Sequence, residues 1–238
     1  MELPKIIIFD VGGTIVKGKW SNFRLGYEYL YNEVLDVNES FESYMAFVEQ
    51  FFDVIKERDN CSLEFNFISL LNYLIDLYGL KINLDLYEIE YRFYRAYYEA
   101  VLMPDIINLL DYLKSKNIPL YVLSNSMYST NAVKRELEDV GVLHYFKQVI
   151  SSGDHVIRKP SSLLFKLYLK KFAMIGIDSH EICYIGNDAY FDINTPIQLG
   201  MQAVLISDKN HLHEHYLEVD GHNTLLKELK ENEWIFRV

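Results

Sequence analysis

The stretch Lys5-Ile6-Ile7-Ile8-Phe9-Asp10-Val11-Gly12-Gly13-Thr14 decides how the rest of the chain is read. An apolar run ends in a carboxylate, a glycine pair and a threonine, the pattern of a buried strand entering a tight loop. In open α/β sheets, ligands bind beyond the carboxyl ends of the strands, which is where this pattern puts Asp10. The bland alternative is an ordinary strand and turn, with Asp10 as a turn former. The stretch alone leaves both open, and the later strands decide between them.

From Pro104 onward, strand-like and helix-like segments alternate, as in a parallel sheet with crossover helices. Ile106 to Lys116 reads as an amphipathic helix, and Pro119-Leu120-Tyr121-Val122-Leu123 as a buried strand delivering Ser124-Asn125-Ser126. Thr130 to Val140 is a second helix and Gln148 to Ser151 a short strand. A loop then carries Arg158-Lys159-Pro160, and Ser161 or Ser162 can cap a helix over Leu163 to Phe172. Ile182 to Ile185 is a strand ending in Gly186-Asn187-Asp188, with Asp192 one helical turn beyond Asp188. If a helix starts there, both carboxylates share one face of its first turn. Ala203 to Ile206 is a last strand, and Thr224 to Asn232 a last helix.

Between these halves, residues 17–102 have helical periodicity. Apolar positions recur at three- and four-residue steps in Tyr27, Leu30, Tyr31 and Val34, in Tyr44 through Ile55, and in Phe67 through Tyr78. Four or five helices and no strand are expected. The division is therefore residues 1–16 and 103–238 as an α/β core and 17–102 as an inserted helical unit. Its aromatic residues are mostly bundle core, with a minority bordering a ligand pocket.

The 238 residues carry a formal charge of -11 with 50% hydrophobic and 24% charged residues. That balance argues against wholesale binding to nucleic acid or to an anionic membrane, and it leaves a phosphorylated small molecule open as a partner. Cys61 and Cys183 match no metal or disulfide spacing and are expected as packed thiols in a reducing compartment. No targeting pattern follows Met1 and no apolar run is long enough to span a bilayer, so the cytoplasm is the expected location.

Four strand ends thus present Asp10, Ser124, Lys159 and the Asp188/Asp192 pair. A carboxylate nucleophile, a hydroxyl, a fixed ammonium and further carboxylates are the kit for Mg²⁺-assisted phosphoryl transfer. In this order, each after a strand, they resemble the haloacid dehalogenase-like hydrolases over the whole chain. Phe9 to Thr14, Leu123-Ser124-Asn125, Arg158-Lys159-Pro160 and Gly186 through Asp192 are similar to that family's four motifs. Ser151-Ser152-Gly153-Asp154 and Leu199-Gly200-Met201 match its usual phrases. The resemblance implies a Rossmann-like, doubly wound parallel sheet with a C1-type α-helical cap. It implies Asp10 as a nucleophile forming an aspartyl-phosphate, Ser124 binding the phosphoryl group and Lys159 neutralising the intermediate. Mg²⁺ would be held by Asp10, the Gly12 carbonyl and an acid of the fourth motif. Gly13, Thr14 and Asn125 would lie on the substrate side.

Two departures stand out. Phosphatases of that family usually carry an aspartate where this chain has Gly12, which keeps a carbonyl but cannot move a proton. General acid–base help is typically worth ~10²–10⁴-fold, so a slow phosphatase is expected. Asn187 occupies the usual first acidic position of the fourth motif. Asp188 is then the expected metal carboxylate, with Asn187 and Asp192 in support. A phosphatase of a small metabolite is the first reading. A hydrolase of a C–P or C–halogen bond is the second, and a non-catalytic binding protein the third. Arg24 is a candidate for reaching a substrate anion from the helical insertion. His211, His213 and His215 alternate in a polar stretch and are expected at a solvated edge or loop rather than on a metal.

Overall fold

The structure, a computed structural model, describes residues 4–56 and 62–231. In chain order its elements begin with β1 (Ile6–Phe9), β2 (Val16–Trp20), α1 (Arg24–Tyr29), α2 (Phe41–Lys56), α3 (Phe67–Tyr78), α4 (Leu86–Tyr97) and β3 (Tyr98–Leu102). There follow α5 (Ile106–Ser115), β4 (Leu120–Ser124), α6 (Thr130–Asp139), β5 (Phe146–Ser151), α7 (Ser162–Ala173) and β6 (Ile182–Gly186). The chain continues through α8 (Asn194–Gln198), β7 (Gln202–Ile206), β8 (His211–Leu212), β9 (Leu217–Val219) and α9 (His222–Glu231).

Seven strands form one sheet in the order β5-β4-β1-β6-β7-β9-β8, parallel except for β8. β1 lies between β4 and β6, so the strand that carries Asp10 is the one most enclosed. Its four residues are all buried because both faces of a parallel sheet are covered by crossover helices. Ile7 and Phe9 face the layer containing Leu109, Leu110, Val133 and Leu225 of α5, α6 and α9. Ile6 and Ile8 face Leu164, Phe165 and Tyr168 of α7. Helices on both faces make the sheet doubly wound, as expected.

One expectation fails between the two halves. β2 and β3 form an antiparallel ribbon, Val16 pairing with Leu102 and Trp20 with Tyr98, where only helices were expected. Val16-Lys17-Gly18-Lys19-Trp20 shows no apolar alternation because the ribbon is largely exposed, and its partner lies some eighty residues away along the chain. Gly18 is required there, since a Cβ would overlap the Tyr98 ring. At the other end, β8 and β9 add a hairpin to the sheet edge. His211 is exposed on it, while His213 pairs with Glu218 at 2.8 Å and stacks on Tyr216. No metal-holding group of His, Cys, Asp or Glu occurs among the described residues. Cys183 is buried, and burial pushes its thiol up; Cys61 lies outside the described residues.

The helical layer meets the sheet through polar contacts as well as apolar ones. Phe67 N donates to Met127 O at 2.9 Å, and Ser152 Oγ donates to Glu64 Oε2 at 2.6 Å. Glu90 of α4 accepts from the backbone N of Ser129 at 2.9 Å and from its hydroxyl, and that hydroxyl in turn caps α6 at Ala132 N. Burial raises the Glu90 carboxyl from 4.5 to about 7, against the pull of the Ser129 bonds. An acid whose folded pKa exceeds its unfolded one stabilises fully below the unfolded value and loses that contribution as pH rises through the folded one. The melting temperature should therefore fall between pH 4.5 and 7.5, and Glu90→Gln should flatten part of that fall. Calorimetric scans across the range check this; parallel pH profiles for the two proteins would mean that Glu90 titrates alike in both states.

Candidate active site

Three strand ends converge on one ammonium. Asp10 follows β1 directly, held in the ladder by its N donating to Ile185 O at 2.9 Å. Lys159 lies in the loop before α7, with only 1% of its surface exposed. Its Nζ donates to Asp10 Oδ1 at 2.7 Å, to Asp192 Oδ1 at 2.6 Å and to the Tyr184 hydroxyl at 2.8 Å. Tyr184 passes its own proton to Leu123 O at 2.8 Å, next to Ser124. A lysine has three donors, and all three are used. The two carboxylates hold Lys159 above its ordinary pKa although burial alone would lower it. Burial raises Asp10 from 3.8 to about 6, opposed by Lys159 and reinforced by Asp192.

Asp192 reaches this centre by folding back over the end of β6. Its Oδ2 accepts from the backbone N of Asn187 and of Asp188, both at 3.1 Å. A Cβ on Gly186 would overlap the Asp192 carboxylate, so that close approach needs glycine. The turn between them, Ala189–Ile193, is π-helical rather than α-helical. Asp188 and Asp192 accordingly do not work as a pair. The Asp188 carboxylate caps the turn, accepting from Tyr190 N at 2.8 Å and Phe191 N at 3.0 Å, and it makes no bond to Asp10 or Lys159.

Asn187, not the expected Asp188, is the fourth-motif side chain that faces the first loop. Thr14 Oγ1 donates to Asn187 Oδ1 at 3.3 Å, and a Cβ on Gly13 would overlap the Asn187 amide. Gly13 adopts φ +79°, the left-handed turn that lets its N reach Val16 O at 2.7 Å. Gly13 and buried Thr14 therefore shape the loop and tie it to the end of β6. Gly12 is different, for a Cβ there would meet nothing within 4 Å.

Ser124 ends β4, buried, beside a cavity also lined by Gly12 and Asn125. Asn125 was expected to face substrate, but its amide is committed elsewhere. Its Nδ2 donates to Lys159 O at 3.0 Å and its Oδ1 accepts from Lys159 N at 2.8 Å, a two-point clamp on the backbone that carries the ammonium. Arg24 does not reach the site. It pairs with Glu49 at 3.1 Å and lies over the Phe41 ring, on the outside of the helical layer.

Tyr184 and Glu136 were missed in the sequence. Tyr184 is the one hydroxyl in an apolar buried strand, a group that needs a partner. Glu136 shares the buried face of α6 with Ala132, Val133 and Leu137, a helical spacing that marks it as enclosed.

The family model for haloacid dehalogenase-like hydrolases matches residues 4–200. The chain belongs to that family. Among curated relatives it is 27% identical over 122 residues to glyceraldehyde 3-phosphate phosphatase of Methanothermobacter thermautotrophicus, covering 49% of this chain and 52% of that protein. The chain thus matches about half the length of that relative. Two solved structures share the fold: a HAD phosphatase of Thermococcus onnurineus, TM-score 0.60 at 20% identity, covering 98% of this chain and 100% of that one; and a dehalogenase with an intermediate complex, TM-score 0.59 at 18% identity, with coverage of 98% and 100%.

Gly186→Ala should displace Asp192 and release one of the three holds on Lys159. A buried ion pair broken on one side typically costs ~3–5 kcal/mol, so the variant should melt well below wild type. A melting curve unchanged from wild type would show that Asp192 has another route to Lys159.

Proposed function

We propose that this chain is a Mg²⁺-dependent phosphatase that cleaves small phosphate monoesters through an aspartyl-phosphate on Asp10. The family membership supports hydrolase chemistry, and the carrying observation is the buried Asp10–Lys159–Asp192 centre, with Val11 and Gly12, the residues that follow Asp10, lining a cavity together with Ser124. In this reading residues 1–16 and 103–238 form the catalytic core, residues 17–102 the cap over the substrate, and the protein works in the cytoplasm. No helix among the described residues is long and apolar enough to cross a membrane.

Asp10, ionised, attacks the phosphorus in line with the departing alkoxide. The Lys159 ammonium fixes the carboxylate's direction and offsets charge on the acyl phosphate that forms. Ser124 orients a phosphoryl oxygen. Water then cleaves the P–O bond of the intermediate and returns Asp10 to its carboxylate. Gly12 supplies no proton to the leaving oxygen, so turnover should depend steeply on how good the leaving group is.

The donors present fit a metal bound together with substrate. One carboxylate of Asp10, the Gly12 carbonyl and the neutral Asn187 amide are hard oxygen donors of the kind Mg²⁺ takes, with substrate phosphate completing the set. Two carboxylates and one ammonium leave the centre with a formal charge of -1, so a dianionic phosphoryl group is repelled unless a cation joins it. Mg²⁺, when bound, supplies that charge. An amide in place of a carboxylate makes the resting affinity weak.

A second reading, displacement at a C–halogen or C–P bond, is favoured by the same two positions, because Gly12 and Asn187 each stand where a phosphatase would carry an acid. Against a 2-haloacid, the cavity is lined by one ionisable carboxylate, Glu136, and by no basic side chain to hold the substrate's own carboxylate.

Purified protein should hydrolyse p-nitrophenyl phosphate with Mg²⁺, lose that activity in EDTA and lack it as Asp10→Asn. Activity surviving EDTA would overturn the Mg²⁺ dependence, turnover of phosphonoacetaldehyde or a 2-haloacid in place of phosphate esters would move the assignment to the second reading, and no turnover of phosphates, phosphonates or haloacids would leave a binding protein. Gly12→Asp fits the open space and should speed poor leaving groups by ~10-fold or more while changing p-nitrophenyl phosphate little. Asn187→Asp should lower the Mg²⁺ concentration for half-maximal rate by at least ~10-fold. Titration of both variants against wild type decides each point.

A further inference from the structure

The cavity beside Gly12 and Ser124 has a volume of about 340 Å³ and is walled by Trp20, Tyr94, Tyr97, Tyr98, Tyr128 and Glu136. Its polar groups are unevenly used. Tyr98 donates to Glu136 Oε1 at 2.7 Å and Tyr94 to the same atom at 3.4 Å, while the Tyr97 and Tyr128 hydroxyls bond to each other. The tyrosine hydroxyls are thus spent within the wall. No hydrogen bond to Glu136 Oε2 occurs among the described residues.

No ion pair to Glu136 occurs among the described residues: Arg95, whose charge acts on it from a distance, pairs with Asp139 at 3.7 Å, and no lysine, arginine or histidine lines the cavity among the described residues. Burial raises Glu136 to about 7, against the pull of the Tyr98 and Tyr94 hydrogen bonds and of the Arg95 charge. Around it, the rings of Tyr94 and Tyr98 lie 4.5 Å apart, those of Tyr94 and Tyr128 4.4 Å apart, and Trp20 packs 4.5 Å from Tyr98 at the exposed edge.

An anionic organic group would meet a like charge there. Electron-rich rings beside a carboxylate with one oxygen left unbonded suit a cation, which gains from the ring quadrupoles and from the charge together. We propose that this cavity binds a small alcohol bearing an ammonium group, with Glu136 as its counter-ion and the tyrosine and tryptophan rings as its walls. Because the cavity is continuous with Gly12 and Ser124, the phosphate ester of such an alcohol is the substrate class of the site. This second step rests on the phosphatase reading; the binding of the free alcohol does not.

The test separates the two. Titration calorimetry of the wild-type protein with choline should give binding at least ~10-fold tighter than with 3,3-dimethyl-1-butanol, its neutral isostere, since only the cation is drawn to the ring faces and the carboxylate. Equal affinities, or no binding of either, overturn the proposal without recourse to any variant. Glu136→Gln, checked for its fold by circular dichroism, should weaken choline at least ~5-fold; unchanged affinity in the folded variant also overturns it. In turnover with Mg²⁺, phosphocholine or phosphoethanolamine should exceed glycerol 3-phosphate and glyceraldehyde 3-phosphate by at least ~10-fold in kcat/KM. The reverse order removes the substrate assignment and leaves a phosphatase standing. Choline binding without turnover of any phosphate ester removes the phosphatase and leaves the cation site standing.

Discussion

Everything at the sheet edge depends on one ammonium held by three acceptors. Lys159 Nζ spends its three protons on Asp10, Asp192 and Tyr184 at 2.6 to 2.8 Å, in a place where water does not reach. Removing such a charge from water costs several kcal/mol, recovered only if every donor is matched, as here. The result is a rigid link between strands that are not neighbours in sequence. β1 supplies Asp10, β6 supplies Tyr184 and, through its turn, Asp192; the Tyr184 hydroxyl bridges on to the end of β4. Since no donor of Lys159 is left over, its task in the resting protein is to aim and hold Asp10. Contact with a phosphoryl oxygen requires one of the three bonds to give way.

That arrangement explains several residues that do no chemistry. Asn125 fixes the Lys159 backbone from both sides, so the ammonium's origin is as constrained as its tip. Gly186 makes room for Asp192 to lie across the strand end, and the wide turn of residues 189–193 carries Asp192 inward while Asp188 closes the turn from outside. Gly13 does for Asn187 what Gly186 does for Asp192. Two glycines thus permit two close approaches, and a side chain at either would open the centre.

The central sheet was legible because a parallel strand buried on both faces leaves a continuous apolar run, and four such runs ended in polar residues. Asp10 and Ser124 stand at the ends of such runs, and Lys159 in the loop that follows another. The β2–β3 ribbon was not legible, since its strands are exposed and pair across the whole helical insertion. The roles within the fourth motif were not legible either. Spacing in sequence puts Asp188 and Asp192 one turn apart, but only the turn's actual width decides which carboxylate points inward. For the same reason the bonds of Asn125 to the Lys159 backbone and of Thr14 to Asn187 could not be read from spacing. Sequence locates a side chain at a strand end; the competition among nearby backbone donors decides what it binds.

The absence of an acid at positions 12 and 187 is a change of charge as much as of chemistry. With carboxylates at both, Asp10, Lys159 and Asp192 would sit in a centre of formal charge -3, a strong divalent cation site. With glycine and asparagine the centre carries -1, and the remaining negative charge facing the substrate belongs to Glu136 across the cavity. In the proposed phosphatase reading, such a centre would gain less from the metal and more from what the cavity holds, so discrimination among substrates would come from the organic end of the ester.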